Sequence, residues 1–294
     1  MNNFIALGQA LAKARKSSNL TQLELCSKTG IAYSTLTKIE RGAIKKPNIF
    51  TVFKIAQATN LQIEDLLTNH RNLSVDTALK NIRTDDYNKV QNKRIKFIYF
   101  DVHQVLINSS TSMIASITAK LGIPLVKMEK LWLRYNEPLC RGQISIQEFN
   151  HIIDQAFQTR GTDWSKLYIE TTLPNTAIQK ACRWAMKEYK VGLLSNAFPG
   201  NIPLLINNNI IPKNYDVIVD SSQVGLIKPQ PEIYAYAQNK ASVEPEEILL
   251  VDDRSINILM AQNQGWHGYH ILPQHNKHDF LESFQAFLGR TNQD

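Results

Sequence analysis

Residues 95–106 read IKFIYFDVHQVL. Apart from Lys96, the run up to Phe100 is apolar and rich in aromatic and β-branched residues, and it closes on Asp101. A short, nearly continuous apolar run of this kind reads as a strand buried on both faces, here one that presents a carboxylate at its carboxyl end. Four more such runs follow: YKVGLLS (189–195), YDVIVD (215–220), EEILLVD (246–252) and GYHIL (268–272). Helix-sized intervals separate them. Strands alternating with helices predict right-handed βαβ crossovers and a parallel sheet. In such a sheet the chemistry gathers at the carboxyl ends of the strands. Four places are marked there: Asp101, Ser195-Asn196, Lys228-Pro229 and Asp252-Asp253. The interval between the first two strands is too long for a simple crossover. It contains KMEKLWLRYNEPLCRGQISIQEFNHIIDQAF (127–157), a helical pattern that predicts an inserted cap over about 110–180.

Upstream of this sheet the chain changes character. Residues 1–94 carry 15 Lys and Arg against 7 Asp and Glu, a balance of +8, while the remaining residues carry 18 against 19. The basic excess therefore belongs to the first third, as expected of a nucleic-acid-binding head on a neutral body; a solvated basic surface is the alternative that charge leaves open. Leu7, Leu11 and Ala14 fall on one helical face. Thr21 and Glu24 in NLTQLEL form a capping-box pattern, and Gly30 is a natural left-handed stop. In AYSTLTKIERG, Leu36 and Ile39 point inward and Gly42 closes the helix. Two short helices about a glycine-containing turn make a helix-turn-helix. After Pro47, NIFTVFKIAQATNLQIEDLL offers two further amphipathic stretches, which would complete a five-helix unit. Residues 71–94 read as a polar, basic linker.

No apolar run approaches the ~18 residues that span a bilayer, so no membrane partner is expected. The three cysteines, Cys26, Cys140 and Cys182, are scattered and odd in number, which suits reduced thiols in cytoplasm. Four histidines fall in HGYHILPQHNKH, but Pro273 breaks any helical register there and no acid pair completes a transition-metal set; they read as surface histidines.

Residues 5–68 resemble the phage-repressor-like (XRE/Cro) helix-turn-helix family in LTQ, the TGI turn, STLTKIERG, the following proline and a final EDLL. The resemblance implies that the segment 32–40 enters the major groove of an operator. Tyr33, Ser34 and Lys38 would face base edges, with Thr35 and Thr37 near base or backbone. Gln22, Arg41, Lys45 and Lys46 would hold phosphates. A homodimer on a two-fold operator is the expectation for this class. A bundle for protein contacts is the alternative.

Residues 95–275 resemble the haloacid dehalogenase-like superfamily in its branch with a small helical cap. GLIKPQPEIY and LLVDDRSINILMAQNQGWHGYHI lie close to the branch that includes the phosphatase domain of soluble epoxide hydrolase, and RGQISIQEF resembles its cap. The expected architecture is therefore an all-α head (1–70), the linker (71–94) and a three-layer, Rossmann-like α/β domain (95–290) with an inserted cap. The resemblance implies that Asp101 is a nucleophile that forms an aspartyl-phosphate. Ser195 and Asn196 would bind the phosphoryl group and Lys228 offset its charge. Mg²⁺ would be held by Asp101, Asp253 and the backbone carbonyl of His103, with Asp252 acting indirectly.

The sequence departs from that pattern at one place. Phosphatases of the superfamily carry a second aspartate two residues after the nucleophile, where it protonates the leaving oxygen and then activates water. Here that residue is His103, followed by Gln104 in place of a glycine. Losing a positioned acid-base group costs about 10²–10⁴ in rate. Weak or absent phosphatase activity is the expectation, in a transcriptional regulator whose second domain senses a phosphorylated small molecule or mediates dimerisation. An active Mg²⁺-dependent phosphatase, localised or autoregulated by its DNA-binding head, is the rival. Dehalogenases also lack the second acid but use no magnesium, and the Asp252-Asp253 pair speaks against that chemistry.

Overall fold

In the computed structural model, the described residues of the head form four helices: α1 (Asn3–Ser17), α2 (Gln22–Thr29), α3 (Tyr33–Glu40) and α4 (Ile49–Ala58). The structure describes residues 3–44, 47, 49–59, 61, 95–109, 113–271 and 280–289. The chain divides into two units, residues 1–89 and 90–294. The expected fifth helix, the linker, Lys45 and Lys46 lie outside the described residues.

The local signals of the head act as read. Thr21 accepts from the Glu24 backbone N–H while the Glu24 carboxylate accepts from the Thr21 backbone, and Gly30 ends α2 at φ 69°. Leu11, Leu25, Leu36, Ile39, Val52 and Ile55 are fully or almost fully buried and form the core of the unit. Helix α1 lies hard against α3: a Cβ on Gly8 would come within 2.2 Å of the Ile39 carbonyl oxygen, so only glycine allows that approach. Arg15 of α1 is buried, and its guanidinium donates twice to Glu40 of α3, at 2.7 and 3.0 Å.

The second unit is built on a five-stranded sheet in the order β5-β4-β1-β6-β7. The strands are β1 (Phe97–Phe100), β4 (Lys190–Ser195), β5 (Val217–Asp220), β6 (Ile248–Asp252) and β7 (His267–His270), and every neighbouring pair is parallel. Strand β1 is buried at all four positions because it is central and covered on both faces. Helices α9 (Thr176–Glu188), α10 (Asn201–Asn207), α11 (Ser221–Val224), α12 (Pro231–Ala241), α13 (Ser255–Asn263) and α14 (Phe280–Phe287) complete it.

Between β1 and β4 stand the cap helices α5 (Met113–Leu121), α6 (Leu125–Cys140), α7 (Ile146–Phe157) and α8 (Trp164–Thr171). Their stem is a two-stranded antiparallel ribbon, β2 (Ile107–Ser109) with β3 (Thr172–Pro174), which the sequence did not announce. Trp132 stacks on Trp164 at 5.2 Å and meets Phe149 edge-on at 6.0 Å, an aromatic cluster at the centre of the cap.

The cap is also tied to the sheet domain away from its stem. Ser221 Oγ donates to the Cys140 carbonyl at 2.6 Å and accepts from the Ala197 N–H at 3.0 Å. Arg141 donates to the Gly225 carbonyl at 3.1 Å. Gly142 has φ 64°, and a Cβ there would fall 2.1 Å from the Ser222 carbonyl oxygen.

Candidate functional site

The register of the sheet gathers the marked residues. Phe100 lies opposite Leu193 on one side and Val251 on the other, so β1, β4 and β6 finish nearly level. Asp101, Ser195 and Asp252 therefore emerge along one edge of the sheet. Lys228 arrives from the loop before α12 and is held there by Asn196. The Asn196 amide donates to the Lys228 carbonyl at 2.9 Å and accepts from the Lys228 N–H at 2.8 Å.

Lys228 Nζ is buried between two carboxylates, 2.9 Å from Asp101 and 2.6 Å from Asp252. Burial works against its charge, but Asp101 and Asp252 outweigh it and the ammonium is raised above its ordinary value. Asp252 further accepts from the Arg254 N–H at 2.9 Å and from Asn257 Nδ2 at 2.9 and 3.0 Å, so it is an anchor inside the site. Ser195 Oγ is buried without a hydrogen-bond partner, as is Asn257 Oδ1. Buried polar atoms left open in this way suit a polar ligand.

Asp101, Asp252 and Asp253 each offer a carboxylate oxygen, and these lie within 4.8 Å of one another. Lys228, with the Arg254 charge close by, faces three carboxylates, which leaves the group short of positive charge. Burial first, then Asp252 and Asp101, pushes the Asp253 carboxyl up to about 8. Oxygen donors clustered with surplus negative charge are what a hard divalent cation accepts, so the residues fit magnesium.

His103 lies beside this cluster but faces the cap. Its Nε2 is 2.7 Å from the Tyr168 hydroxyl of α8, and Asn201 Nδ2 donates to the same oxygen at 3.4 Å. Burial, with the Lys228 charge second, lowers the imidazole to about 4, so the ring is neutral at neutral pH. Gln104 takes the left-handed conformation, φ 58°, and so follows the backbone path that a glycine would. Burial pushes the Cys140 thiol up to about 12, which leaves it unreactive at the cavity wall. A cavity of 280 Å³ lies between the strand ends and the cap.

In the head, Tyr33, Ser34, Lys38 and Arg41 are exposed, while Thr35 and Thr37 are half-buried. Thr37 Oγ1 donates to the Tyr33 carbonyl at 2.9 Å. Gln22 Nε2 donates to Glu40 at 2.8 Å, which draws the amide into the Arg15-Glu40 pair. His267 and His270 bond to the backbone carbonyls of Glu246 and Asp253, and His275 and His278 lie outside the described residues.

Residues 95–265 match the haloacid dehalogenase-like hydrolase family over more than half of the chain. The chain belongs to the haloacid dehalogenase-like hydrolases. Residues 11–66 match the helix-turn-helix family, so the head of this hydrolase-family chain is a helix-turn-helix of XRE type. It is 22% identical over 205 residues to mouse acyl-CoA dehydrogenase family member 10, covering 65% of this chain and 19% of that protein. It is 33% identical over 55 residues to rat bifunctional epoxide hydrolase 2, covering 19% of this chain and 10% of that protein. The chain thus spans a fifth or less of either relative. A haloacid dehalogenase family enzyme from Bacteroides thetaiotaomicron, solved with magnesium and inorganic phosphate, shares the fold. Its TM-score is 0.53 at 23% identity, over 60% of this chain and 94% of that one. No described helix of the hydrolase-family chain is long and apolar enough to cross a membrane.

Sequence reading missed Tyr168, Asn257 and Ser221. Asn257 was within reach, since it stands five residues after Asp252 in the helix that leaves the strand end. Tyr168 and Ser221 carried no signal, because each acts through a contact distant in sequence.

Proposed function

We propose that the protein is a DNA-binding transcriptional regulator whose hydrolase-family domain holds a phosphate-bearing ligand beside magnesium and hydrolyses it weakly or not at all. The observation that carries this reading is the 2.7 Å bond between His103 and Tyr168. The side chain standing where a phosphatase needs its acid-base group has a ring nitrogen engaged by the cap. Proton transfer to a leaving oxygen requires that group within hydrogen-bond reach of the substrate.

In this reading Asp101, Asp253 and the backbone carbonyl of His103 hold the magnesium. When bound, the ion supplies positive charge that lets an anionic ligand lie against an anionic carboxylate. Asp252 fixes Lys228, Asn196 fixes the Lys228 backbone, and the Ser195 hydroxyl and the Lys228 ammonium receive the phosphoryl oxygens. In the head, Tyr33, Ser34 and Lys38 read base edges, with Thr35 and Thr37 beside them. Gln22, Arg41, Lys45 and Lys46 lie along phosphates, and two copies occupy a two-fold operator. The domains run 1–70 and 95–290, joined by 71–94. Ligand controls DNA binding to the extent that it favours one of the two states.

A second reading is favoured by the grouping of Asp101, Lys228, Asp252 and Asp253: an active phosphatase in which Asp101 attacks phosphorus as the ester P–O bond breaks and the alcohol leaves, and water then cleaves the aspartyl-phosphate. Phosphate release from an aryl phosphate, with and without magnesium and beside Asp101→Asn, separates the two. The regulator reading expects negligible release, raised by about 10²–10⁴ in His103→Asp as the acid-base group returns. Brisk magnesium-dependent release by the unaltered chain, lost in Asp101→Asn, would establish the phosphatase. Genomic DNA captured on the full chain gives the operator.

A further inference from the structure

The 280 Å³ cavity has two unlike halves. From the strand ends come its charged side chains, Asp101, Lys228, Asp253 and Arg254. From the cap come Met113, Trp132, Asn136, Cys140 and Tyr168, none of them charged. The polar atoms in the cap half are few, and two of them are engaged. The Tyr168 hydroxyl bonds to His103 and Asn201, and Asn136 Oδ1 accepts from the Cys140 thiol at 3.6 Å. Trp132 is braced on the cap side, where Trp164 stacks on it and Phe149 meets it edge-on.

We infer that this cavity selects a compact phosphate monoester with a single charged head and an apolar, hydroxyl-poor body that lies against Trp132 and Met113. The inference rests on the anion site proposed above and adds to it the class of ligand body. Three physical arguments converge. Drug-sized ligands occupy pockets of about 300–1,000 Å³, and a smaller cavity that must also take the phosphate has room for a single ring or a short branched chain. A sugar would bury several hydroxyls against a wall with fewer polar partners than it has hydroxyls to pair, and unpaired buried polar groups discriminate strongly. A flat apolar body gains by leaving water for an aromatic face held in place.

The test is calorimetric titration of the full chain with magnesium, using inorganic phosphate, phenylphosphonate, glucose 6-phosphate and adenosine 5′-monophosphate. Phenylphosphonate carries a carbon–phosphorus bond and survives any residual hydrolysis. It is expected to bind about tenfold or more tighter than inorganic phosphate, a difference of about 1.4 kcal/mol, with the sugar and nucleotide phosphates no tighter than inorganic phosphate. Trp132→Ala should erase that gain and leave phosphate binding in place. Met113→Ala, on a different helix, should reduce the gain and serves if the Trp132 cluster proves necessary for folding. Equal binding of phenylphosphonate and phosphate overturns the inference alone, as does equal binding of the sugar or nucleotide phosphate and phenylphosphonate. A full gain retained in both variants overturns it as well. Failure of inorganic phosphate to bind with magnesium overturns the anion site itself, and the inference with it.

Discussion

Lys228 faces Asp101 at 2.9 Å and Asp252 at 2.6 Å, and Asp253 adds a third carboxylate to the cluster. Magnesium is therefore expected to raise the melting temperature of the full chain, since a ligand that binds only the folded state at about 100 times its Kd adds about 2.7 kcal/mol. Asp253→Asn should lose most of that rise, as followed by differential scanning fluorimetry. A melting temperature indifferent to magnesium in the unaltered chain would remove the metal from the site. Position 104 shows how a residue-level departure can be absorbed. Glutamine at φ 58° keeps the turn that a glycine would make, so the departure at Gln104 leaves the backbone path intact while His103 changes the chemistry.

Elements meet through a few polar contacts whose loss can be read separately. Glu40 of α3 receives Arg15 of α1 and Gln22 of α2. Burial alone would raise its carboxyl, but the bonds from Arg15 and Gln22 prevail and hold it below its ordinary value of 4.5. A carboxyl depressed by folding contributes stability that is complete above its unfolded value and lost as pH falls through its folded one. The head should thus weaken below about pH 4.5, and Glu40→Ala, which strands the buried Arg15, should cost about 3 kcal/mol at neutral pH and flatten that acid limb. Circular dichroism melts across pH test both. In the second unit, Gly142→Ala would force a methyl group onto the Ser222 carbonyl at a positive φ and should cost about 1–3 kcal/mol. Hydrogen exchange should quicken at the C-terminal end of α6 before the sheet responds. Most elements were legible in the sequence because their signals are local. The five apolar runs became β1, β4, β5, β6 and β7, and the Thr21-Glu24 and Gly30 signals bounded α2. The ribbon β2-β3 was not legible, since each strand has three residues and its pairing spans the whole cap. At the site, strand ends announced Asp101, Ser195 and Asp252-Asp253, whereas the engagement of His103 by Tyr168 needed the fold to bring 65 positions of separation to 2.7 Å.

At the scale of the molecule, charge and chemistry are divided between two units, with +8 in residues 1–94 and near-neutrality beyond. Operator affinity should therefore fall steeply with salt, by roughly 10³ between about 50 and 200 mM for six or more phosphate contacts, while ligand affinity in the buried cavity responds far less. Fluorescence anisotropy with operator DNA, beside calorimetry with phenylphosphonate over the same salt series, checks that separation. A parallel decline of both would mean that the cavity is open to solvent ions. The Ser221 hydroxyl, bonded to the cap at Cys140 and to the sheet domain at Ala197, gives this arrangement a temporal side. In the proposed regulator, a ligand held between cap and strand ends would depart as that joint and the His103-Tyr168 joint loosen, so its residence would follow the breathing of the protein more than the strength of its own contacts. Such a regulator would keep a short record of what the cell has recently contained.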